Sequence, residues 1–277
     1  MTRRAYFQEH PLEVHWFLTI QGQCTEVSRR LKFSQVPVPP RRGVCGDFSP
    51  QSRMRVLREM ARINWYSCGP CVFVQLGYPD SVIESSHIER SKQRFLWHRY
   101  LEKSMGAQIP IVWRCEWEPR KSGKYKGYLV PHFHLILVGV SYIPKEDIRR
   151  WWQLSIKSKG HLHTDIRRIY DAEGVSRYVT SYMAKSSSLG NGTYHNKHVT
   201  VGRQWGFMRG SKIPRYPLEV QRELDDGEVP ALQAMAKDKW PDYGKHYEGG
   251  FTLFGLDTAQ EIKTKFGGGV DMTPLNR

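Results

Sequence analysis

Two histidines one residue apart, His132 and His134, open an apolar run that reads V-P-H-F-H-L-I-L-V-G-V over residues 130–140. In a strand, side chains two apart point to one face, so both imidazoles project together. That spacing suits two ligands on one metal ion. A carboxylate on a neighbouring strand would complete such a site. In the segment I-P-I-V-W-R-C-E-W, residues 109–117, strand alternation puts Val112, Arg114, Glu116 and Glu118 on one face, with Glu116 the deeper carboxylate. Two imidazoles and one carboxylate leave open positions on a divalent ion, which can then hold a phosphate. On spacing alone, a surface carboxylate balancing nearby Arg and Lys is an equal reading of Glu116 or Glu118.

A nucleophile for phosphorus stands further along, in V-S-R-Y-V-T-S-Y-M-A-K, residues 175–185. The residues favour a helix that Ser176 could cap. Tyr178 and Tyr182 are four apart and share one helix face, and Lys185 is three further on. The plain reading is an amphipathic helix that buries two aromatics. The chemical reading is a tyrosine hydroxyl that attacks phosphorus and keeps the phosphodiester energy in a covalent intermediate. A phenol is weak at neutral pH, and a cation and a lysine beside it would offset that.

The elements that must position these groups follow from periodicity. The run 130–140 is short, rich in Val, Ile and Leu, and bounded by Pro131 and Gly139, as a buried central strand reads. Residues 71–76, 109–117 and 14–20 also read as strands. Residues 87–103, with Phe95, Leu96, Tyr100 and Leu101 apolar, and 144–156, with Trp151 and Trp152, read as helices. The second pair, His161-Leu162-His163, opens a more polar run and is expected on an adjoining strand rather than at the metal site. From Ser52 a helical pattern carries Met54, Leu57, Ala61 and Ile63 as an apolar stripe, with Arg53, Arg55, Arg58 and Arg62 largely elsewhere. Those arginines are equally a solvated face or a face that tracks phosphates. Residues 120–128, R-K-S-G-K-Y-K-G-Y, form a basic hairpin loop in which Lys124 and Lys126 alternate with tyrosines, a pattern suited to single-stranded nucleic acid and also to a solvated turn. Residues 36–42 read as an extended proline-rich loop, 216–237 as partly helical with a break at Pro230, 251–255 as a short strand, 257–266 as a capped helix, and the last residues as a flexible tail.

Cys68-Gly69-Pro70-Cys71 spells a redox dithiol, but that chemistry needs the first Cys at a helix N-terminus. Here a strand follows, so a tight turn is the better reading, and Cys24 and Cys45 lack the pair spacing of a zinc site. Five cysteines, an odd number, fit reduced thiols. The 277 residues hold 42 Lys+Arg against 27 Asp+Glu, a net charge of +15 that points to a polyanionic partner. There is no long apolar run for a membrane span. The start, M-T-R-R-A-Y-F-Q-E-H-P, has charge with no apolar core behind it, so it does not read as a signal peptide. A cytoplasmic protein with no membrane partner is expected.

In order, these motifs resemble the HUH endonucleases, and most closely the rolling-circle replication initiators (Rep proteins) of small single-stranded DNA phages and related plasmids. His132-Phe133-His134 resembles the histidine-hydrophobic-histidine motif, and Tyr178-x-x-x-Tyr182-x-x-Lys185 the two-tyrosine motif. Trp113-Arg114-Cys115-Glu116 precedes the histidine strand, and Gly202-Arg203-Gln204-Trp205-Gly206 follows the tyrosines, as in that family. The match covers roughly residues 50–215, and four motifs in order make it strong where each alone is weak. Gln75 and Gly77 stand where the family pattern has threonines. The resemblance implies an α+β fold in which an antiparallel β-sheet is flanked by helices. The chain divides accordingly into a segment 1–50, an endonuclease domain 51–215 and an extension 216–277. It implies that Glu116, His132 and His134 hold Mg2+ or Mn2+, and that Tyr178 and Tyr182, assisted by Lys185, nick and rejoin single-stranded origin DNA. Arg53, Arg55, Arg58, Arg62, Lys124, Lys126 and Arg203 would contact the DNA. No Walker-type glycine loop is present, so unwinding and synthesis imply a host helicase and polymerase. A single-strand transposase of the same superfamily and a non-catalytic basic single-strand-binding protein are the alternatives.

Overall fold

In a computed structural model, the described residues are 14–31, 48–79, 86–158, 160, 162–171, 174–175, 202–239 and 250–267. They form an α+β protein of two compact units, each an antiparallel sheet with helices. The first unit takes in residues 14–31, 61–63 and the described residues from 215 onward; the second takes in 48–60 and the described residues between 64 and 214.

The second unit is built on strands β3 (Cys71–Gly77), β4 (Ile111–Pro119), β5 (Leu129–Val138), β6 (Thr164–Ile169) and β7 (Trp205–Met208) in the order β6-β3-β5-β4-β7. The expected central strand is indeed central: β5 is hydrogen-bonded on one side to β3 and on the other to β4. The basic loop 120–128 closes the β4–β5 hairpin, with Arg120 N–H donating to the Tyr128 carbonyl at 2.8 Å. Helix α1 (Pro50–Ala61) precedes the sheet, α2 (His87–Met105) joins β3 to β4, and α3 (Lys145–Ile156) follows β5.

Strand alternation gives this sheet two unlike faces. Val72, Val74, Leu76, Trp113, Cys115, Trp117, Phe133, Leu135 and Leu137 form one continuous core with Trp97 and Leu101 of α2 and Ile148, Trp151 and Trp152 of α3. Trp152, fully buried, donates its indole N–H to the Gly77 carbonyl at 2.8 Å and so ties α3 to the end of β3. Residues of the opposite parity, including Gln75, His132, His134, Arg114 and Glu116, belong to the other face.

The buried stripe of α2 differs from the apolar positions expected of it. Arg90, Gln93, Trp97, His98 and Leu101 are buried, whereas Phe95 is 58% exposed. The stripe has helical spacing but is polar and aromatic, so hydrophobic periodicity does not reveal it. Its charged members lie on indole faces: the guanidinium of Arg94 stands 3.5 Å from the Trp113 ring centroid and that of Arg90 4.7 Å from Trp117.

The first unit carries β1 (Val14–Gln21), β2 (Cys24–Leu31), β8 (Leu218–Leu224) and β9 (Gly250–Phe254) in the order β8-β1-β2-β9, with α4 (Glu228–Lys239) and α5 (Leu256–Phe266). Leu18, Ile20, Val27, Val220, Leu232, Leu253 and Ile262 share its core. Two segments far apart in sequence therefore complete one sheet. The expectation of a partial helix over 216–237 with a break at Pro230 needs correction. Residues 218–224 are a strand pairing with β1, and Pro230 lies inside α4. It occupies the first helical turn, where a missing N–H removes no intrahelical bond. The proline-rich loop and the residues after 267 lie outside the described residues. No helix among the described residues is long and apolar enough to cross a membrane.

The Trp152 hydrogen bond tests the tie between α3 and β3. Trp152→Phe removes a buried donor and some ring volume, and should destabilise the protein by about 2 kcal/mol in urea unfolding.

Candidate functional site

The ladder around β5 sets the site. Glu116 of β4 lies directly opposite His132, and Arg114 opposite His134. From the other side, Gly77 of β3 lies opposite His132 and Gln75 opposite His134. The carboxylate of Glu116 reaches diagonally along the face to His134, whose Nε2 donates to Oε2 at 2.9 Å. Both side chains are almost fully buried, at 5% exposure for His134 and 1% for Glu116. The Phe73 ring stacks on the His134 ring with centroids 5.7 Å apart and holds its plane.

His132 sits beside this pair. Burial pushes its imidazole down to about 4; the neighbouring rings of His134 and His163 add to that, while Glu118 and Glu116 oppose it. It is therefore neutral at pH 7, the form in which histidine binds metals. Its Nδ1 is buried and has no hydrogen-bond partner among the described residues. Buried polar atoms of this kind are uncommon and mark a place where a ligand or ion can be accepted. The donor set of two imidazoles and one carboxylate suits Mg2+ less than Mn2+ or another imidazole-binding divalent ion. Among the described residues no group of three or more His, Cys, Asp or Glu is arranged to hold a metal ion. The structure brings Glu116 to His134 and leaves His132 adjacent.

Arg114, which strand alternation puts on this face with Glu116, and His163, which the sequence reading sets on an adjoining strand away from the metal site, are both neighbours here. Arg114 is 1% exposed, its guanidinium lies 4.3 Å from the Phe48 ring centroid, and burial lowers its pKa, with Glu116 opposing and Arg53 reinforcing the shift. The residues around the start of α1 therefore lie against the histidine face, and Arg53 is on that side. His163 comes from the second histidine pair, just before β6, a strand that adjoins β3 rather than β5. Its carbonyl accepts the Gly77 N–H at 2.9 Å. A Cβ on Gly77 would stand 3.0 Å from that carbonyl oxygen and 3.5 Å from the His132 ring. Glycine at 77 thus gives the His163 backbone its room beside the end of β3, with the His132 ring at ordinary contact distance. The signal for His163 was its presence in a second H-x-H; what hid it was the order of the strands.

The remaining candidates divide. Tyr178, Tyr182 and Lys185 lie outside the described residues. Arg55 is exposed, Arg53 and Arg58 are partly so, and Lys124 and Lys126 are exposed on the 120–128 loop. Arg62 forms an ion pair with Glu26 at 2.9 Å. Arg203 lies on the helix side of the sheet, where its Nε donates to the Trp205 carbonyl at 2.8 Å. The chain matches no protein-family model, no curated protein and no solved structure.

The Cys68–Cys71 turn is as expected. Gly69 has φ +65° and β3 begins at Cys71. Both thiols are free. Cys68 ends a short 3-10 helix rather than starting a helix, so no helix dipole favours its thiolate. Burial, reinforced by Cys71, pushes the Cys68 thiol up to about 12; burial pushes Cys71 up to about 11 against a backbone hydrogen bond at Gly139. At pH 7.5 the folded protein should therefore react with iodoacetamide at these two cysteines at least about a hundredfold more slowly than a free cysteine does. Mass spectrometry of timed samples measures this, and rapid labelling at either position would contradict it.

Proposed function

We propose that this protein is a metal-dependent tyrosine endonuclease and strand transferase of the HUH type, acting on single-stranded DNA as a rolling-circle replication initiator. The observation that carries the reading is the buried Glu116–His134 pair with His132 opposite Glu116 on the same face of the central strand. Buried, charge-capable groups gathered on one face away from the apolar core are costly to stability, and functional sites are where such groups concentrate. The net charge of +15 supports a polyanionic substrate.

In this reading Glu116, His132 and His134 would hold Mn2+ or Mg2+, which would supply charge neutralisation at the scissile phosphate. The hydroxyl of Tyr178 or Tyr182 loses its proton and attacks phosphorus in line. The P–O3′ bond breaks, the 3′ oxygen takes up a proton and leaves as a free hydroxyl, and the 5′ phosphate stays on the tyrosine. Lys185, three residues after Tyr182 in the sequence, stabilises the phenolate and the negative charge on the phosphoryl oxygens. Because the phosphodiester is exchanged for a phosphotyrosyl ester, a 3′ hydroxyl can attack in return and reseal the strand. Two tyrosines allow a second cut while the first remains loaded. Arg53, Arg55, Arg58, Lys124 and Lys126 are the candidate phosphate contacts, with Arg203 set apart on the helix side of the sheet, and a host helicase and polymerase would supply unwinding and synthesis. The competing reading is a basic single-strand-binding protein that makes no covalent bond.

The test is a labelled pool of single-stranded DNA, incubated with the full chain and Mn2+ and run on a denaturing gel. A metal-dependent labelled band that migrates with the protein is expected. It should be lost in the Tyr178→Phe, Tyr182→Phe double variant and reduced at least about a hundredfold in Glu116→Ala. DNA retention without any such band, on the cognate origin strand, would establish the binding-protein reading instead.

A further inference from the structure

The helix-covered side of the five-stranded sheet holds a cavity of about 490 Å³ that the nicking chemistry does not use. Its floor is Cys115 and Phe133, which sit opposite each other on β4 and β5 and point away from Glu116 and His132. Its walls are Arg90 and Arg94 of α2 and Arg203 of the segment leading into β7. Phe95 and Ile88 edge it, 58% and 57% exposed.

The lining is strongly cationic. The charged or titratable neighbours that bear on Arg94 are Cys115, Tyr78 and Arg203, none of them a carboxylate. Burial keeps the Cys115 thiol and the Tyr78 hydroxyl neutral. Arg94 lies flat on Trp113 with its Nε buried and without a hydrogen-bond partner among the described residues. Arg90 is only 3% exposed. Arg94 donates through Nη2 to the Ser91 hydroxyl at 3.3 Å and Arg203 through Nε to the Trp205 carbonyl; with these neutral acceptors the two guanidinium groups keep their charge, and a cavity that brings them together favours an anion.

The segment 202–206 is shaped to bring Arg203 here. A Cβ on Gly202, at φ +70°, would stand 2.8 Å from the His87 Cβ, so only glycine lets this backbone pass the start of α2. A Cβ on Gly206 would stand 3.0 Å from the Arg203 guanidinium, so glycine leaves that group its room. The Gln204 carbonyl accepts the Cys115 N–H at 2.7 Å and fixes the segment to the sheet edge. The two glycines and the arginine of G-R-Q-W-G thus each have a task at this cavity.

We propose that the cavity binds a nucleotide, its phosphate held by Arg94, Arg90 and Arg203 and its base laid against Phe95 and Ile88. Planar guanidinium forks match phosphate oxygens, and an exposed ring beside them offers a stacking surface that any base can use. The volume falls within the range of small-molecule sites, roughly 300–1,000 Å³. The nucleotide is either free or part of a strand, and the two share this chemistry. The inference stands apart from the nicking reading, since neither the histidine face nor the tyrosines take part.

The experiment is calorimetric titration of the full chain with deoxyadenosine monophosphate, deoxyadenosine and a short single strand, for the natural sequence, Arg94→Gln and Phe95→Ala. Thermal melting reports the fold of each variant, and Phe95→Ala, at an exposed position, decides the matter if Arg94→Gln does not fold. We expect the monophosphate to bind, the unphosphorylated nucleoside to bind at least about tenfold more weakly, and each variant to lose about tenfold in affinity for the monophosphate. Weak binding of the monophosphate with a tenfold loss in strand affinity in the folded variants would also support the proposal and identify the nucleotide as one within a strand. No binding of either ligand, or affinities unchanged in the folded variants, would overturn it.

Discussion

The register of β4 against β5 is the constraint on which the rest of the site depends. With Glu116 opposite His132, and Arg114 opposite His134, a carboxylate, two imidazoles and a guanidinium fall on one face of the sheet's middle. A slip of either strand by one residue would reverse that strand's faces and send its polar groups into the apolar core. The core prevents the slip: Trp113, Cys115 and Trp117 on β4 and Phe133, Leu135 and Leu137 on β5 are all buried on the helix side. Several large apolar side chains therefore fix the placement of a few polar ones. The Glu116–His134 hydrogen bond is possible because the histidine face is dry enough to strengthen it and polar enough to receive it.

The same division of faces separates two kinds of electrostatics. On the histidine face, acid and base stand together, Glu116 and Glu118 against His132, His134, His163 and Arg114. On the helix face, arginines stand together over tryptophans. Arg90 and Arg94 use indole surfaces as their ground, which permits a charged residue to occupy the buried stripe of a helix without a carboxylate for each.

Much of this was legible in the residues. The strands announced themselves by alternation and by Val, Ile and Leu content, and the central place of β5 followed from its apolar run ending at Gly139; Pro131, read as a boundary, lies inside the strand opposite Trp117. The pairing of Glu116 with the histidines was readable because hairpin neighbours share faces and the segment between them is a plain basic turn. Long-range pairing was not readable. Nothing local in Thr164–Ile169 says that it joins β3 rather than β5, and so His163 arrives beside His132 unannounced. The strand Leu218–Leu224 has too few apolar residues to declare itself, and its partner β1 lies about two hundred residues earlier. The stripe of α2 was misread for a chemical reason: arginine, glutamine and histidine count as surface residues in any hydropathy scale, yet here Arg90 covers an indole, Gln93 accepts from the Tyr78 hydroxyl and His98 meets the Ile109 carbonyl.

The central claim is that the face carrying Glu116, His132 and His134 collects a divalent ion. Anomalous diffraction from crystals of the full chain grown with Mn2+ tests it directly. The account predicts one strong peak within roughly 2–2.5 Å of a nitrogen of His132, a nitrogen of His134 and an oxygen of Glu116, with the Glu116–His134 hydrogen bond opened. A well-ordered sheet with no peak on that face, the Glu116–His134 bond intact, or a peak held only by other residues, would contradict it.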